Sequence, residues 1–325
     1  MKNMNANKKE IIMENYRLEG KTFVIDDYDR KPAFSSFLPG LAGVKGIPLW
    51  TFYTNRGQGM NSFGIDNKGN AIMEFNSANT AFENTQVKGF RTFLKIDGEY
   101  YEPFFTYEKE AKRQMRMNKN SFKIIETNEK YGIEVTVNYY VLPNESIGAL
   151  VRQVSVKNIG DSAKEVQVID GLPKIITYGI ANGEFKEMSN LFKSWADIRN
   201  LENKVPYYTL RASTKDSAEV SDVEGGYYYL TVRDGKLQDV IYDVDTVFGY
   251  DLSLMTPVNF IDGSIEGVLS KEQCFANKVP CGFTPFKEVV EPGKELAFDT
   301  MMGFAGSTEQ INAKLDTFCG KDYLA

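Results

Sequence analysis

Residues 54–75, TNRGQGMNSFGIDNKGNAIMEF, place Arg56, four glycines and four asparagines ahead of an apolar run. Residues of these types can do three things. Glycine-rich backbone can cradle a phosphate, amides and a guanidinium can bind sugar hydroxyls, or glycine and asparagine can simply reverse the chain between strands. The phosphate readings fail on spacing. A dinucleotide fingerprint needs G-x-G-x-x-G opening a helix, whereas Gly57 and Gly59 are followed by Ser62 at the third position and then by the strand-like AIMEF; the Gly-Lys-Ser/Thr of a P-loop is absent from this loop. Two readings stay open. In one, Asn55, Arg56, Gln58 and Asn61 are donors beside the aromatics Trp50, Phe52 and Tyr53; in the other, asparagines bond to backbone in an ordinary turn.

Histidine is absent from the whole chain. That removes the commonest general base and zinc ligand, and with it Ser-His-Asp, Cys-His and HExxH chemistry. Carboxylate chemistry remains open, because 44 acidic residues offer many pairs whose separations a sequence does not give. Asp170, in VIDGLP, reads as a turn-capping Asp and Glu187 as a solvated helix residue. Cys274, Cys281 and Cys319 make an odd count without disulfide or zinc spacing and read as free thiols. No catalytic residue, metal or cofactor is assigned.

The elements that would position these side chains are mostly strands. Period-two apolar patterns rich in Tyr, Phe, Val and Ile, broken by Gly, Asn and Asp, predict an all-β, antiparallel two-sheet sandwich. In TFLKIDGEYYEPF, Asp97-Gly98 supplies the positive φ angles of a two-residue hairpin. SFKIIETNEKYGIEVTVNYYVLP repeats the pattern, with strands to Thr127 and from Ile133 to Leu142. ALVRQVSVKNIGDSAKEVQVIDGLP does so again around a turn at residues 158–163, so that these strands read as one meander. Further strands are expected at 207–212, 227–233, 240–247, 283–290 and 296–304.

Helical patterning is confined to three places. The charged segment from Tyr107 to Met117 reads as a short connector. In EFKEMSNLFKSWADIRNLEN, Phe185, Met188, Leu191, Phe192, Trp195 and Ile198 recur at helix spacing as one apolar face. Trp195 is also a candidate for stacking on a sugar ring. From Ser307, a capping serine with Gln310 three residues on leads a stripe of Ile311, Leu315 and Phe318. The domain reading is a sandwich over 1–306 and the start of a helical linker over 307–325.

At 325 residues, with 42% hydrophobic and 25% charged residues, the composition is that of a globular protein able to bury a sizeable core. A net charge of −6 without a basic patch argues against nucleic acid as a partner. The amino terminus lacks a secretory h-region and no stretch approaches a membrane span, so the expectation is a cytoplasmic protein with no membrane partner.

Three longer strings go further: LWTFYTNRGQGMNSFGIDNKGNAIMEFNSANTAFENTQVKGFRTFLKID (49–97), ALVRQVSVKNIGDSAKEVQVIDGLPKIITYGIAN (149–182) and YYTLRASTKDSAEV (207–220). They resemble the amino-terminal region of family 94 glycoside phosphorylases, and within it the 1,2-β-oligoglucan (sophoro-oligosaccharide) branch related to cellobiose phosphorylase. The resemblance implies a galactose mutarotase-like super-sandwich, with the catalytic acid and phosphate site on a separate carboxy-terminal (α/α)6 barrel. No position here matches those residues. The expected role is therefore a non-catalytic scaffold, with a β-glucan oligosaccharide, the barrel of the same parent protein and a second copy in a homodimer as expected partners. Trp50, Tyr53, Asn55, Arg56, Asn61 and Trp195 are the candidate sugar contacts. Two rivals are a stand-alone carbohydrate-binding module and a two-carboxylate glycosidase; a mutarotase is expected to need histidine.

Overall fold

A computed structural model describes residues 15–38, 41–42, 47–105, 110–143, 145–214 and 218–320. These residues form twenty strands: β1 (Tyr16–Glu19), β2 (Thr22–Asp26), β3 (Ser35–Phe37), β4 (Leu41–Ala42), β5 (Ile47–Thr54), β6 (Met60–Ile65), β7 (Ala71–Met73), β8 (Arg91–Ile96), β9 (Glu99–Tyr101), β10 (Lys112–Met117), β11 (Ser121–Asn128), β12 (Ile133–Val141), β13 (Gly148–Asn158), β14 (Lys164–Leu172), β15 (Ala196–Arg199), β16 (Tyr207–Leu210), β17 (Gly226–Arg233), β18 (Lys236–Leu237), β19 (Gly282–Val290) and β20 (Glu295–Ala305). Eleven make one large antiparallel sheet in the order β1-β2-β10-β11-β12-β13-β20-β17-β16-β15, with β18 on β17. Its inner face is covered by a four-stranded sheet, β19-β14-β8-β9, and a five-stranded one, β3-β5-β6-β7 with β4 on β5. The all-β, antiparallel sandwich reading therefore holds, except that the layer opposite the large sheet is divided between two sheets rather than formed by one.

The main core lies between these layers, and strict alternation builds it. Along β13, Leu150, Val154 and Val156 enter the core while Gln153, Ser155 and Lys157 face away; along β12, Val135, Val137 and Tyr139 point in. Leu94, Val166, Val168 and Phe286 meet them from the four-stranded sheet, and Leu49, Met60 and Phe63 from the five-stranded one. Each such side chain stabilises the sandwich by about 1.5 to 3 kcal/mol when fully buried. The hairpin at Asp97-Gly98 forms as its sequence requires, with φ of 51° and 87°.

Several expectations are corrected. Strands β10 to β13 are the predicted meander, but the turn at 158–163 carries the chain from the large sheet to the four-stranded one rather than closing a hairpin. Asn158 holds it there, donating from its side chain to the carbonyls of Ser162 and Val290. The connector expected to be helical contains strand β10 from Lys112 to Met117; Tyr107–Lys109 fall outside the described residues. Its alternation was hidden because an inward position carries Arg113, which pairs with Asp29 and Glu126. Residues 240–247, expected to be a strand, contribute a single bridge at Ile241. A short helix, Val244–Phe248, follows because Asp243 caps it by accepting from the Asp245 amide.

The helix α2, Asn182–Phe192, follows α1, Ala78–Lys88. It buries Phe185 and Phe192, but it kinks at Met188 (φ −126°) and leaves Met188 and Leu191 45% and 51% exposed. Ile198 belongs to β15, so the expected single apolar face does not exist. At the other end of the chain, Ser307 does cap a helix, accepting from the Gln310 amide, while the Gln310 side chain accepts from Gly306. Ile311 and Phe318 are buried on the outer face of the large sheet with Val151, Leu230 and Met301, and Leu315 packs beside them.

Candidate functional site

Because that helical segment covers only one end of the outer face, a groove of about 900 Å³ is left along the rest of it. Register decides what lines the groove. Lys123 of β11 pairs with Asn138 of β12, Asn138 with Gln153 of β13, Gln153 with Asp299 of β20, and Asp299 with Val232 of β17. At about 4.8 Å per strand, four such steps make a row about 19 Å long. A shorter row beside it runs Thr136, Ser155, Ala297, and the Ser155 hydroxyl donates to the Glu295 carboxylate. The β17–β18 turn forms one wall and the carboxy-terminal residues Phe318 and Gly320 another. The two meet closely: a Cβ on Gly235 (φ 72°) would lie 3.0 Å from the Cys319 carbonyl oxygen.

Within the row, the Asn138 amide donates to Gln153 Oε1 at 3.0 Å, and Gln153 in turn hydrogen-bonds Asp299. Burial raises the Asp299 carboxyl above the ordinary carboxylate range, against the opposing pull of that hydrogen bond. Burial, reinforced by the Asp299 charge, pushes the neighbouring Tyr140 hydroxyl to about 12. Among the described groove residues the charged groups are Lys123 and Arg233 against Asp234, Glu295 and Asp299, one carboxylate in excess. Arg233 is itself engaged, bonding Glu288 and lying 3.5 Å from Asp234. Amides, hydroxyls and a half-buried carboxyl in near charge balance suit a polyhydroxylated ligand that carries no charge.

The six residues singled out in the sequence are not assembled into one pocket. Asn55 is fully buried, its amide donating to the carbonyls of Tyr28, Lys31 and Pro32 while its oxygen accepts from Phe34 N. Arg56 donates to the carbonyls of Asn55 and Lys31. Tyr53 is in the core, stacked on Phe122 with centroids 4.5 Å apart. Trp50 and Trp195 both pack, half-buried, around the cluster of Phe185, Phe192 and Leu210, and the Trp50 indole donates to Asn67 O at 2.9 Å. Asn61 lines a crevice with Glu74 and Lys174 of only about 10 Å³, room for about one water. As for the stretch 54–62, Gly57 (φ 49°) and Gly59 (φ 83°) make the turn, and a Cβ on Gly59 would come within 2.7 Å of the Phe122 ring.

Gln58 and Asp170 belong to a polar node inside the sandwich. Arg152 Nη2 meets Asp170 Oδ1 at 2.7 Å and Gln58 Oε1 at 2.5 Å, Thr92 donates to Asp170 at 2.5 Å, and Tyr139 bonds Arg152. Asp170 is thus a completely buried strand residue, not the turn cap expected of it; Glu187 is exposed on α2 as expected. Similar nodes join Arg113 to Asp29 and Glu126, and Arg91 to Glu102. Cys274, Cys281 and Cys319 are free thiols, and burial pushes that of Cys281 well up. No group of metal-ligating side chains occurs among the described residues, and none of the described helices is long and apolar enough to cross a membrane.

The groove residues went unnoticed in the sequence because each is the polar half of an alternating strand, the half normally given to water. Their shared row depends on register, which no local pattern states.

No family model and no curated protein matches the sequence. Solved structures similar to this chain include a polysaccharide lyase (8% identity, TM-score 0.45, covering 83% of this chain and 34% of that one). A galactose mutarotase related enzyme from Lactobacillus acidophilus is similar at 10% identity and TM-score 0.41, covering 85% of this chain and 99% of that one. A proposed kojibiose phosphorylase from the human microbiome is similar at 8% identity and TM-score 0.39, covering 93% and 35%. The chain thus spans about a third of the length of the lyase and of the phosphorylase. Likeness of this degree assigns this chain neither a family nor an activity.

Proposed function

We propose that this chain is the carbohydrate-associated, non-catalytic sandwich domain of an inverting β-glucan phosphorylase of the family 94 kind, a scaffold for a separate (α/α)6 barrel. The observation that carries the reading is the pairing of carboxylates inside the sandwich. Asp29 and Glu126 share Arg113, Glu102 meets Arg91 and Asp170 meets Arg152. Asp170–Arg152 ties the large sheet to the four-stranded one, the other pairs brace single sheets and their flanking turns, and carboxylates committed in this way are poor candidates for moving a substrate's protons. The stretches that resemble the family, 49–97, 149–182 and 207–220, run through β5 to β8, β13, β14 and β16, framework strands of all three sheets.

The test is phosphorolysis. This chain, given a β-1,2-gluco-oligosaccharide and inorganic phosphate, is expected to release no glucose 1-phosphate, and the product of the complete source gene is expected to release it. Release by the chain alone, or a complete gene without a helical barrel, overturns the proposal.

The groove favours a second reading, a stand-alone saccharide-binding module. A two-carboxylate glycosidase draws less support: Asp299 and Glu295 stand four residues apart on β20, about 13 Å between their backbone positions by strand rise, and the Glu295 carboxylate is already bonded by the Ser155 hydroxyl. Hydrolysis needs carboxyls about 5 to 9.5 Å apart.

A further inference from the structure

We infer that the groove on the outer face of the large sheet is a binding site for an uncharged oligosaccharide, laid across the strands and held through Asn138, Gln153 and Asp299. The inference names a ligand and a site for the carbohydrate association proposed above. It does not depend on the barrel or on phosphorolysis.

Four observations lead to it. The first is alignment: Lys123, Asn138, Gln153 and Asp299 occupy one register row on four adjacent strands, so their polar groups share one line about 14 Å long. The second is enclosure. A solvated sheet face would be flat, whereas here the β17–β18 turn and the residues Phe318 and Gly320 stand at its margin and bound about 900 Å³, within the range of small-molecule sites.

The third is the chemistry of the row. Asn138 donates to Gln153, and Gln153 hydrogen-bonds Asp299, so the side chains are oriented by one another before any ligand arrives. An amide carries two donors and an acceptor with two lone pairs, and a carboxylate carries several acceptor sites. Asn138 therefore keeps its second N–H and its carbonyl oxygen beyond the bond to Gln153, and hydroxyl groups, which both donate and accept, match them.

The fourth is charge. Two cations face three carboxylates, and Arg233 is bonded to Glu288. A phosphate or a uronic acid would meet Asp299 at close range without an arginine to offset it, so a neutral sugar is favoured over an anionic one.

The experiment is a titration of the whole chain with a β-1,2-linked glucotetraose, followed by side-chain amide NMR and calorimetry. A tetragalacturonate serves as the anionic counterpart. The expected result is shifts of the Asn138 and Gln153 side-chain amides, a Kd between micromolar and millimolar, about tenfold weaker binding in Gln153→Ala, and weaker binding of the tetragalacturonate. Arg56→Ala is expected to leave the affinity unchanged. Thermal unfolding of Gln153→Ala checks that its fold is intact, and Asn138→Asp, which keeps the side-chain shape but removes the donated amide, is expected to weaken binding on its own.

No saturable shift at tens of millimolar neutral sugar would overturn the inference. So would shifts confined to residues 55–61, or equal affinity in the Gln153 and Asn138 variants. Groove binding without phosphorolysis by the complete protein would leave this inference standing and remove the previous one; phosphorolysis unaffected by a groove that binds nothing would do the reverse.

Discussion

Arg152 and Gln153 are chain neighbours on β13 that live in opposite environments. Arg152 points inward, nearly without solvent exposure, with Asp170, Gln58, Thr92 and Tyr139 as hydrogen-bond partners. Gln153 points outward into the groove between Asn138 and Asp299. The pleat alone separates them, since successive side chains leave opposite faces. The inner cluster is closed, every partner already supplied by the protein, and it acts as structure. The outer row is ordered, yet Asn138 keeps a second N–H and its carbonyl oxygen beside about 900 Å³ of space, which is what a ligand site requires.

Breaking the closed side should cost most. Arg152→Ala leaves Asp170 buried without its cation, and urea unfolding is expected to show a loss of about 3 to 5 kcal/mol. Replacing the pair by apolar residues, Arg152→Met with Asp170→Leu, should cost much less, because no charge is left stranded. If the double variant is as unstable as the single one, the node contributes more than charge compensation.

Asn55→Ala should follow, at about 2 kcal/mol, since it abandons the buried Tyr28 carbonyl, the partly buried carbonyls of Lys31 and Pro32 and the Phe34 amide. A value near zero would show that the 54–62 loop is free to serve a ligand. Gln153→Ala, by contrast, is expected to change stability by less than about 0.5 kcal/mol while weakening sugar binding.

The Asp299 carboxyl supplies a pH test of the open side. Its folded pKa is raised above the unfolded value of about 3.9, so the folded state holds that proton more tightly. The stability it contributes is complete below about pH 3.9 and is lost as pH rises through the raised value. Asp299→Asn should therefore gain on the wild type as pH rises from 4 to 7, by a modest amount because the site is partly solvated. Urea midpoints across that range check the sign, and a falling difference would contradict burial as the cause. Smallest of all, Lys112→Ala removes an exposed, solvent-screened pair with Glu129 and should leave the urea midpoint essentially unchanged.

Much of the framework was legible because it is written locally. Period-two patterns located β11 to β14, and Asp97-Gly98 fixed its hairpin. Where reading failed, a polar residue occupied an inward position, as Arg113 does in β10, or a cap outweighed a strand-like run, as Asp243 does before Val244. The candidate site was far less legible. Trp50, Asn55 and Arg56 attracted notice through residue type, yet their polar groups bond to backbone carbonyls. Lys123, Asn138, Gln153 and Asp299 are separated by up to 176 residues in the numbering and look individually like ordinary solvated strand positions.

The sequence by itself determined that this protein is antiparallel β, that histidine chemistry is closed to it, and where its tight turns fall, because alternation, composition and turn chemistry act over a few residues. Only the tertiary structure decided that the turn at 158–163 changes sheets, that Asp170 is a buried partner of Arg152, and that four polar side chains share one row under a carboxy-terminal wall. Register and layer order are set by pairing between distant strands, and that pairing depends on which faces can be buried together.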